Sequence, residues 1–397
     1  MSLAIPQGFS MAGVHTGVKR DPRKQDLSLV VSDRPASAAG VYTRNLVFAA
    51  PVALDSSRTP SDRIRVVVIN SGNANACTGE RGLDDAREMA RLAAEACGAD
   101  GHQALVLSTG IIGEFLPMEK IRAGITGAAA QLGRDEASLL AAARGMLTTD
   151  TVHKLAGTTV TIAGREIRIL GMAKGAAMMG PNMATMLALI LSDATLDPDT
   201  AQSSLRWAVD QSFNCMSVDG HMSTNDTVLL LANGAAGGEP LEGEGLTTFQ
   251  AALDEVCAEL AKQIAIDGEG STHLIILELN GCADRESAMQ LARTVANSPL
   301  VKTAIHGADP NWGRIVSAAG YAGVPFDPAK VSLRINGFLL FENGAPVPFD
   351  GAEVSRSIRE NRDTLVQLQF GEGSTSLRFW TADLTAEYIR LNADYHT

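Results

Sequence analysis

The sequence predicts an α/β protein of stacked helix and strand layers with a mixed or antiparallel sheet. Two aliphatic runs of strand length, Arg63–Asn70 and Gln103–Ser108, end in Gly- and Asn-rich turns. Between them, Leu83–Cys97 places its apolar side chains on one helical face, and Gly98 ends the helix. Strands that alternate with amphipathic helices, together with at least two hairpins, favour this layered class.

Predicted strands and helices continue to alternate along the rest of the chain, and the pattern of elements changes after Gly281. Val160–Ile169 is predicted to form a hairpin, and Thr248–Ile266 a long amphipathic helix. The other predicted strands are Met183–Ser192, Asp226–Ala232, His273–Leu279, Lys330–Ile335, Leu365–Phe370 and Ser376–Trp380. A helix over Arg285–Ala296 follows Gly281, and Asn336-Gly337 indicates a further hairpin. These changes predict a boundary near residue 282, with a main domain of residues 1–282 and a smaller α/β domain of residues 283–397.

Composition and charge exclude several classes of partner. The chain of 397 residues is 45% hydrophobic and 20% charged, as in ordinary globular proteins, and its formal net charge is −12. Because nucleic acids and anionic membranes need a basic surface, neither is an expected partner. No targeting or membrane-spanning segment is evident, and five scattered cysteines fit reduced thiols, so a cytoplasmic location is expected.

Familiar catalytic and cofactor motifs are missing from the sequence. There is no dinucleotide-binding glycine pattern, phosphate-binding loop, hydrolase nucleophile elbow or zinc-protease helix. The seven histidines form no pair with metal-ligand spacing, so neither a metal nor a resident cofactor is expected.

One segment offers a different chemistry. Gly171–Ala194 is a Gly-, Ala- and Met-rich loop with one lysine that leads into an aliphatic strand, with Thr185 at the start of that strand. A threonine hydroxyl is a weak nucleophile, but an N-terminal threonine can use its own α-amine as general base. Exposing that amine requires cleavage after Ala184. Local chemistry by itself favours an ordinary β-branched strand residue at this position.

A family resemblance reverses that balance. The pattern K-G-x-x-M-x-x-P-N-M-A-T-M-L, which starts at Lys174, resembles the self-processing site of the ornithine acetyltransferase (glutamate N-acetyltransferase) family of arginine biosynthesis. Further blocks resemble the family in the same order: Val67–Gly79, Leu107–Gly113, Thr148–Thr151, Phe213–Thr227, Asp267–Thr272, Val301–Arg314 and Asn392–Thr397. Together they span the chain from about residue 10 to its end.

The resemblance implies a fold, a processing event and an activity. The implied fold is an αββα-type sandwich close to N-terminal-nucleophile hydrolases, with a smaller C-terminal α/β domain. Self-cleavage between Ala184 and Thr185 would give an α chain of residues 1–184 and a β chain of residues 185–397. These would stay associated and assemble as paired or doubled αβ units. The implied reaction moves an acetyl group from N-acetylornithine through Thr185 to glutamate.

The resemblance also implies site residues. Thr185 would be the nucleophile, and the Thr109 hydroxyl with the Gly110 backbone N–H would form the oxyanion hole. The implied substrate contacts are Thr151, Lys174, Thr185, Glu269, Asn392 and Thr397. Lys174 would meet a substrate carboxylate and Glu269 the side-chain ammonium of ornithine.

Departures from the family pattern leave the acyl acceptor open. Ala177, His221, His273 and His396 stand where the family more often has other residues. No residue pattern decides whether acetyl-CoA is also a substrate. Two other activities stay open: a self-processing aminopeptidase- or amidohydrolase-like enzyme that acts on another N-acyl amino acid, and an unprocessed amino-acid-binding relative.

Overall fold

The structure, a computed structural model, describes residues 3–180 and 186–394. Within these ranges the strands are β1 (Phe9–Val14), β2 (Leu27–Tyr42), β3 (Ser61–Asn73), β4 (Ala104–Ile111), β5 (Lys154–Ile162), β6 (Arg165–Lys174), β7 (Leu187–Ser192), β8 (Met216–Ser217), β9 (Thr227–Ala232), β10 (Leu274–Cys282), β11 (Ser332–Ile335), β12 (Phe338–Glu342), β13 (Ala345–Pro346), β14 (Asp363–Gln369) and β15 (Thr375–Ala382). The α-helices are α1 (Ala50–Ser56), α2 (Gly79–Ala96), α3 (Met118–Ala129), α4 (Glu136–Gly145), α5 (Pro198–Gln211), α6 (Gly243–Ile266), α7 (Arg285–Ala296), α8 (Pro299–His306), α9 (Trp312–Gly320), α10 (Gly351–Glu360) and α11 (Ala386–Asp394).

The first sheet turns back on itself through one long strand. Its order is β4-β3-β2-β9-β7-β6-β5, with β1 paired to β2. The first part of β2 pairs with β3 and its last part with β9, and the pairing register to β3 shifts after Val31. The exposed residues Asp33, Arg34 and Pro35 occupy this shift. The long strand β2 therefore joins two halves of one sheet.

Alternating side chains show that the two halves enclose a common core. Leu105 and Leu107 of β4 share an apolar cluster with Leu189 of β7 and Leu229 of β9. The residues between them face outward: those of β3 and β4 pack under α2 and α3. Those of β7 and β9 pack in the cluster that contains α5 and α6. The order helix, sheet, sheet, helix confirms the αββα-type sandwich.

The second sheet forms the smaller α/β unit. Its order is β13-β12-β11-β14-β10-β15-β8, in which β10 lies between β14 and β15. Helix α6 packs against both β5 and β15, so the two sheets share one continuous apolar core. The predicted domain boundary at residue 282 stays a prediction. Because β10 belongs to the second sheet, a boundary before Leu274 would keep this sheet's strand β10 within the smaller unit.

Several predicted elements are confirmed by the structure. Helices α2, α6 and α7 match the three predicted helical segments to within one residue at their C-terminal ends, and β3, β4 and β9 overlap predicted strands. Asn336 and Gly337 both have positive φ, as a tight two-residue hairpin between β11 and β12 requires. The first residues of the predicted strand Met183–Ser192 lie outside the described residues. Nowhere in the described ranges is a helix both long enough and apolar enough to cross a bilayer.

Candidate active site

A cavity of about 1110 Å³ brings together five of the residues that the sequence singled out. Thr109, Gly110, Lys174, Glu269 and Asn392 all line it, although they span most of the chain. Because β3, β4 and β6 end at this cavity and α11 borders it, their terminal residues converge here. The structure therefore places these predicted site residues around one space.

The remaining predicted site residues lie elsewhere or outside the described chain. Thr151 does not line the cavity: its backbone N–H and its hydroxyl both donate to the carboxylate of Asp267. Its neighbours Thr148 and Thr149 line the cavity instead. Its role as a substrate contact stays a prediction. Ala184, Thr185 and Thr397, like His396, lie outside the described residues.

The Thr109-Gly110 turn is held tightly against the neighbouring strand. Gly110 has a φ of +134°, and a Cβ added there would lie 2.3 Å from the backbone carbon of Gly72. The Asn225 side-chain amide donates to the carbonyl oxygens of Ala74 (2.7 Å) and Ser108 (2.8 Å). This amide links the ends of β3 and β4 immediately before Thr109. This bracing fixes the backbone around Thr109 and Gly110, as the predicted oxyanion hole would require.

Lys174 lies beside Thr109 at the end of β6. Its Nζ donates to Thr109 Oγ1 over 3.2 Å, and the lysine is 2% exposed. Because the hydroxyl oxygen of Thr109 accepts this bond, its own proton is free to point at another acceptor. Burial lowers the pKa of Lys174 below the ordinary lysine value, and the Asp150 carboxylate opposes this shift. The arrangement provides a buried cation and a hydroxyl donor side by side.

A buried ion cluster supports the loop that follows Lys174. Lys154 Nζ donates to Asp150 Oδ1 (2.7 Å) and to Asp267 Oδ2 (2.6 Å), with the lysine side chain wholly buried. Asp150 Oδ1 also accepts the backbone N–H of Gly175 over 2.6 Å. Burial alone would raise the pKa of Asp150, but the charges of Lys174 and Lys154 hold it below its usual range. Lys154 therefore stabilises two carboxylates that position the site.

Replacing Lys154 with methionine is expected to lower the free energy of unfolding by about 3–5 kcal/mol, because it removes the buried cation that is paired with two buried carboxylates. Lys262→Met is the matched control, since Lys262 forms a partly exposed pair with Asp363. That control is expected to cost about 0–1 kcal/mol. Chemical unfolding measures both values. Equal losses in the two variants would show that the buried cluster contributes no more to the free energy of unfolding than the partly exposed pair does.

Asp226 is a buried carboxyl that immediately precedes β9. Because β7 and β9 run parallel with Leu187 opposite Thr227, Met186 lies beside Asp226, and the Met186 N–H donates to Asp226 Oδ1 over 3.2 Å. Burial raises the pKa of Asp226 to about 8, despite opposing hydrogen bonds and the Lys174 charge. The hydroxyls of Thr43 and Ser223 contribute to this opposition, but Oδ2 accepts no hydrogen bond from the described residues. Asp226 therefore keeps its proton at neutral pH.

The raised pKa of Asp226 predicts a pH dependence of stability. Below about pH 4 this carboxyl is protonated in both the folded and the unfolded chain. Between pH 4 and about 8 only the unfolded chain loses the proton, so the free energy of unfolding falls by about 1.4 kcal/mol per pH unit. Asp226→Asn is expected to remove this contribution. Unfolding measured from pH 5 to pH 8 should therefore show a flatter profile than in wild type or in the exposed-site control Asp62→Asn. An unchanged slope would contradict a buried, protonated Asp226.

The C-terminal helix α11 contributes one wall of the cavity. Asn392 Nδ2 donates to Glu269 Oε2 (2.9 Å), and the Tyr388 hydroxyl donates to Asp219 Oδ2 (3.2 Å). The Glu269 backbone N–H donates to the Ala176 carbonyl in the loop after Lys174. These bonds hold the Glu269 carboxylate and the loop after Lys174 close to α11.

The sequence did not predict several residues of the site. Asp219, Asn225 and Tyr388 line or brace the cavity, and Asp226 lies behind it. A local signal existed for two of them, because Asn225 and Asp226 immediately precede an aliphatic strand within the block Phe213–Thr227. Of the departures from the family pattern, Ala177 and His221 line the cavity, whereas His273 does not.

Charged side chains around the cavity contrast with the charge of the whole chain. Five cationic residues, Lys19, Arg20, Lys24, Lys120 and Lys174, line it together with four anionic ones, Asp21, Glu114, Asp219 and Glu269. The chain as a whole carries a net charge of −12. The cavity is thus locally balanced and suits a substrate with both carboxylate and ammonium groups.

The sequence matches one family model over nearly its full length. The model described as the ArgJ family matches residues 10–397. The arginine biosynthesis bifunctional protein ArgJ of Rhodopirellula baltica is 48% identical over 399 residues, which cover 100% of this chain and 97% of that protein. The protein of the same name from Geobacter sulfurreducens is 46% identical over 395 residues, which cover 98% and 99%.

A solved structure shares part of the fold. The crystal structure of the arginine biosynthesis bifunctional protein ArgJ from Bacillus halodurans superposes with a TM-score of 0.51 at 36% identity. The match covers 52% of this chain and 98% of that chain. The solved chain therefore corresponds to about half of this one.

Proposed function

This chain belongs to the ArgJ family, and on that premise we propose that it transfers the acetyl group of N2-acetylornithine to glutamate. The products are ornithine and N-acetylglutamate, and the reaction belongs to arginine biosynthesis. The main support for this proposal is that one cavity is lined by Thr109, Gly110, Lys174, Glu269 and Asn392. Leu187, two residues after Thr185, pairs with Lys174 across β6 and β7. The nucleophile assigned by resemblance therefore precedes, by two residues in the sequence, a strand that starts beside this cavity.

The proposal includes self-cleavage between Ala184 and Thr185. Attack of the Thr185 hydroxyl on the Ala184 carbonyl forms an ester and breaks the amide bond, which frees the α-amine of Thr185. Water then hydrolyses the ester, which releases the Ala184 carboxylate and the Thr185 hydroxyl. The half-length correspondence to the solved relative supports a chain divided near its middle. The newly exposed amine then serves as the general base that the nucleophile lacks.

Cleavage would leave the two chains firmly associated. Strands β7 and β9 belong to residues 185–397, yet they lie between β2 and β6 of residues 1–184. Separating the chains would break two strand interfaces inside the sandwich core. We therefore propose an αβ unit that assembles further as in the family.

Five residues have proposed roles in acetyl transfer. The Thr185 hydroxyl attacks the acetyl carbonyl of N-acetylornithine, and the Thr109 hydroxyl and Gly110 N–H donate to the oxyanion that forms. Ornithine leaves, and the amine of glutamate then attacks the acetyl ester. Lys174 binds the α-carboxylate common to both substrates, and Glu269 pairs with the ornithine ammonium. Two substrates that use one covalent site in turn give ping-pong kinetics.

Acetyl-CoA is proposed as a second acetyl donor. The relatives from Rhodopirellula baltica and Geobacter sulfurreducens are named bifunctional, and Lys19, Arg20, Lys24 and Lys120 provide cationic side chains for an anionic donor. The enzyme needs no resident cofactor in this scheme. We further propose a cytoplasmic location, because the five cysteines are all unpaired thiols.

An assay of three donor and acceptor combinations tests the proposal. With N-acetylornithine and glutamate, ornithine and N-acetylglutamate should form in equal amounts, and initial rates should give parallel double-reciprocal lines. With N-acetylornithine alone, free acetate should form much more slowly. Acetate release that glutamate does not suppress would support the hydrolase alternative. With acetyl-CoA and glutamate, absence of N-acetylglutamate would exclude acetyl-CoA as a donor. The proposed transfer from N-acetylornithine would still stand.

A further inference from the structure

Three side chains outside the cavity converge at one end of the second sheet. His273 precedes β10, Asp383 follows β15, and His306 ends α8. Strands β10 and β15 are antiparallel with Leu274 opposite Ala382, so His273 and Asp383 lie side by side. A ligand atom from each of the three residues lies within 4.8 Å of the others. Their separation in sequence conceals this cluster from any spacing rule.

The two distances from Asp383 to the histidines match the spacing between ligands of a four-coordinate ion. Asp383 Oδ2 lies 3.3 Å from His273 Nδ1 and 3.2 Å from His306 Nδ1. In a tetrahedral zinc site with bonds of about 2.0–2.1 Å, neighbouring ligand atoms are about 3.3–3.4 Å apart. Two histidines and one carboxylate are also a ligand set that zinc commonly takes.

A fourth ligand position is present. The Thr272 hydroxyl oxygen lies 2.5 Å from Asp383 Oδ2, 2.9 Å from His273 Nδ1 and 3.1 Å from His306 Nδ1. It lies within hydrogen-bond distance of all three ligand atoms, so this oxygen or a water molecule can fill a fourth ligand position after a small expansion. Catalytic and exchangeable zinc sites commonly combine three protein ligands with one oxygen.

The surroundings orient the ligands and leave a path for an ion. Asp383 Oδ1 accepts the backbone N–H groups of Thr272 (2.8 Å) and His273 (3.1 Å), which turns Oδ2 toward the histidines. Such outer hydrogen bonds hold ligating carboxylates in place. The Asp383 side chain is fully buried, whereas the His306 side chain is 41% exposed and faces solvent.

We propose that Thr272, His273, His306 and Asp383 form a binding site for a divalent transition metal, with Zn²⁺ as the best fit. The site joins the loop that carries Glu269 to the segment that leads into α11, where Thr385 Oγ1 already donates to the Gly270 carbonyl. A bound ion would therefore act as a structural clip behind one wall of the cavity. It takes no part in acetyl transfer and does not depend on the proposed reaction.

Metal titration of the full chain, without an affinity tag, tests the site. Metal-free protein is titrated with Co²⁺ while the visible absorption of four-coordinate cobalt is followed, and with Zn²⁺ by calorimetry. We expect one ion per chain at micromolar or tighter affinity, and a rise in melting temperature on adding Zn²⁺. His306→Ala should weaken binding at least about tenfold, since even loss of an outer-shell partner has an effect of that size. His102→Ala, at an exposed histidine outside the cluster, should bind like wild type.

Two results would overturn the proposal. One is the absence of stoichiometric binding at micromolar metal, which would leave the cluster as a hydrogen-bonded network only. The other is equal binding by His306→Ala and His102→Ala, which would assign the ion to another place. Because His306 is partly exposed, its variant is expected to fold, and circular dichroism without metal checks this. His273→Gln provides an independent second ligand change with the same expected loss.

Discussion

Thr185→Ala is expected to remain a single chain of 41.7 kDa and to lose acetyl transfer. Without the hydroxyl no ester can form at Ala184, so the α-amine that would serve as base is never released. Loss of the Thr185 hydroxyl therefore abolishes both self-cleavage and acetyl transfer. Removing a covalent nucleophile costs on the order of 10⁵–10⁶-fold in turnover in comparable enzymes. A denaturing gel and the transfer assay measure the two effects on one sample.

Wild type should instead give two bands, with a β chain that begins Thr185-Met186-Leu187 by N-terminal sequencing. Thr159→Ala is the matched control, because Thr159 is an exposed threonine in β5 of the same sheet. It should be cleaved and active like wild type. If Thr185→Ala were cut normally, the assignment of the nucleophile would be wrong. If wild type remained intact yet active, self-cleavage would be excluded while the family assignment stands.

Thr109→Val is expected to have the second-largest effect. Valine keeps the shape of threonine in this buried position but removes the hydroxyl that would donate to the oxyanion. Loss of one such donor costs about 2.7–4 kcal/mol of transition-state stabilisation, a fall of about 10²–10³-fold in kcat. Because the donor acts chiefly in the transition state, KM should change little.

A hydroxyl-retaining variant separates catalysis from packing. Thr109→Ser keeps the oxygen that accepts from Lys174 Nζ and should stay within a few-fold of wild type. Rates are normalised to the amount of processed β chain, so that slow self-cleavage is not mistaken for slow transfer. An equal loss in both variants would point to disturbed packing and would count against a donor role for Thr109.

Local patterns in the sequence were sufficient for many elements but not for the shape of the sheet. The helical period over α6 and the Asn336-Gly337 turn each reflect interactions within a short stretch, so they could be predicted. Strand β2 could not, because Asp33, Arg34 and Pro35 interrupt its apolar alternation. Only the fold shows that this interruption is where one sheet turns to form both halves of a sandwich.

The same division holds for the site. The sequence by itself determined the family, and it predicts the nucleophile at Thr185 and the oxyanion turn at Thr109-Gly110, because these rest on contiguous motifs. Only the tertiary structure decided that Lys174 donates to Thr109, that Asp226 is a buried neutral carboxyl, and that Thr151 is bonded to Asp267. It alone brought His273, His306 and Asp383 together. The physical reason is that pKa values and ligand geometry depend on burial and on neighbours distant in sequence, which strand pairing and layer packing establish.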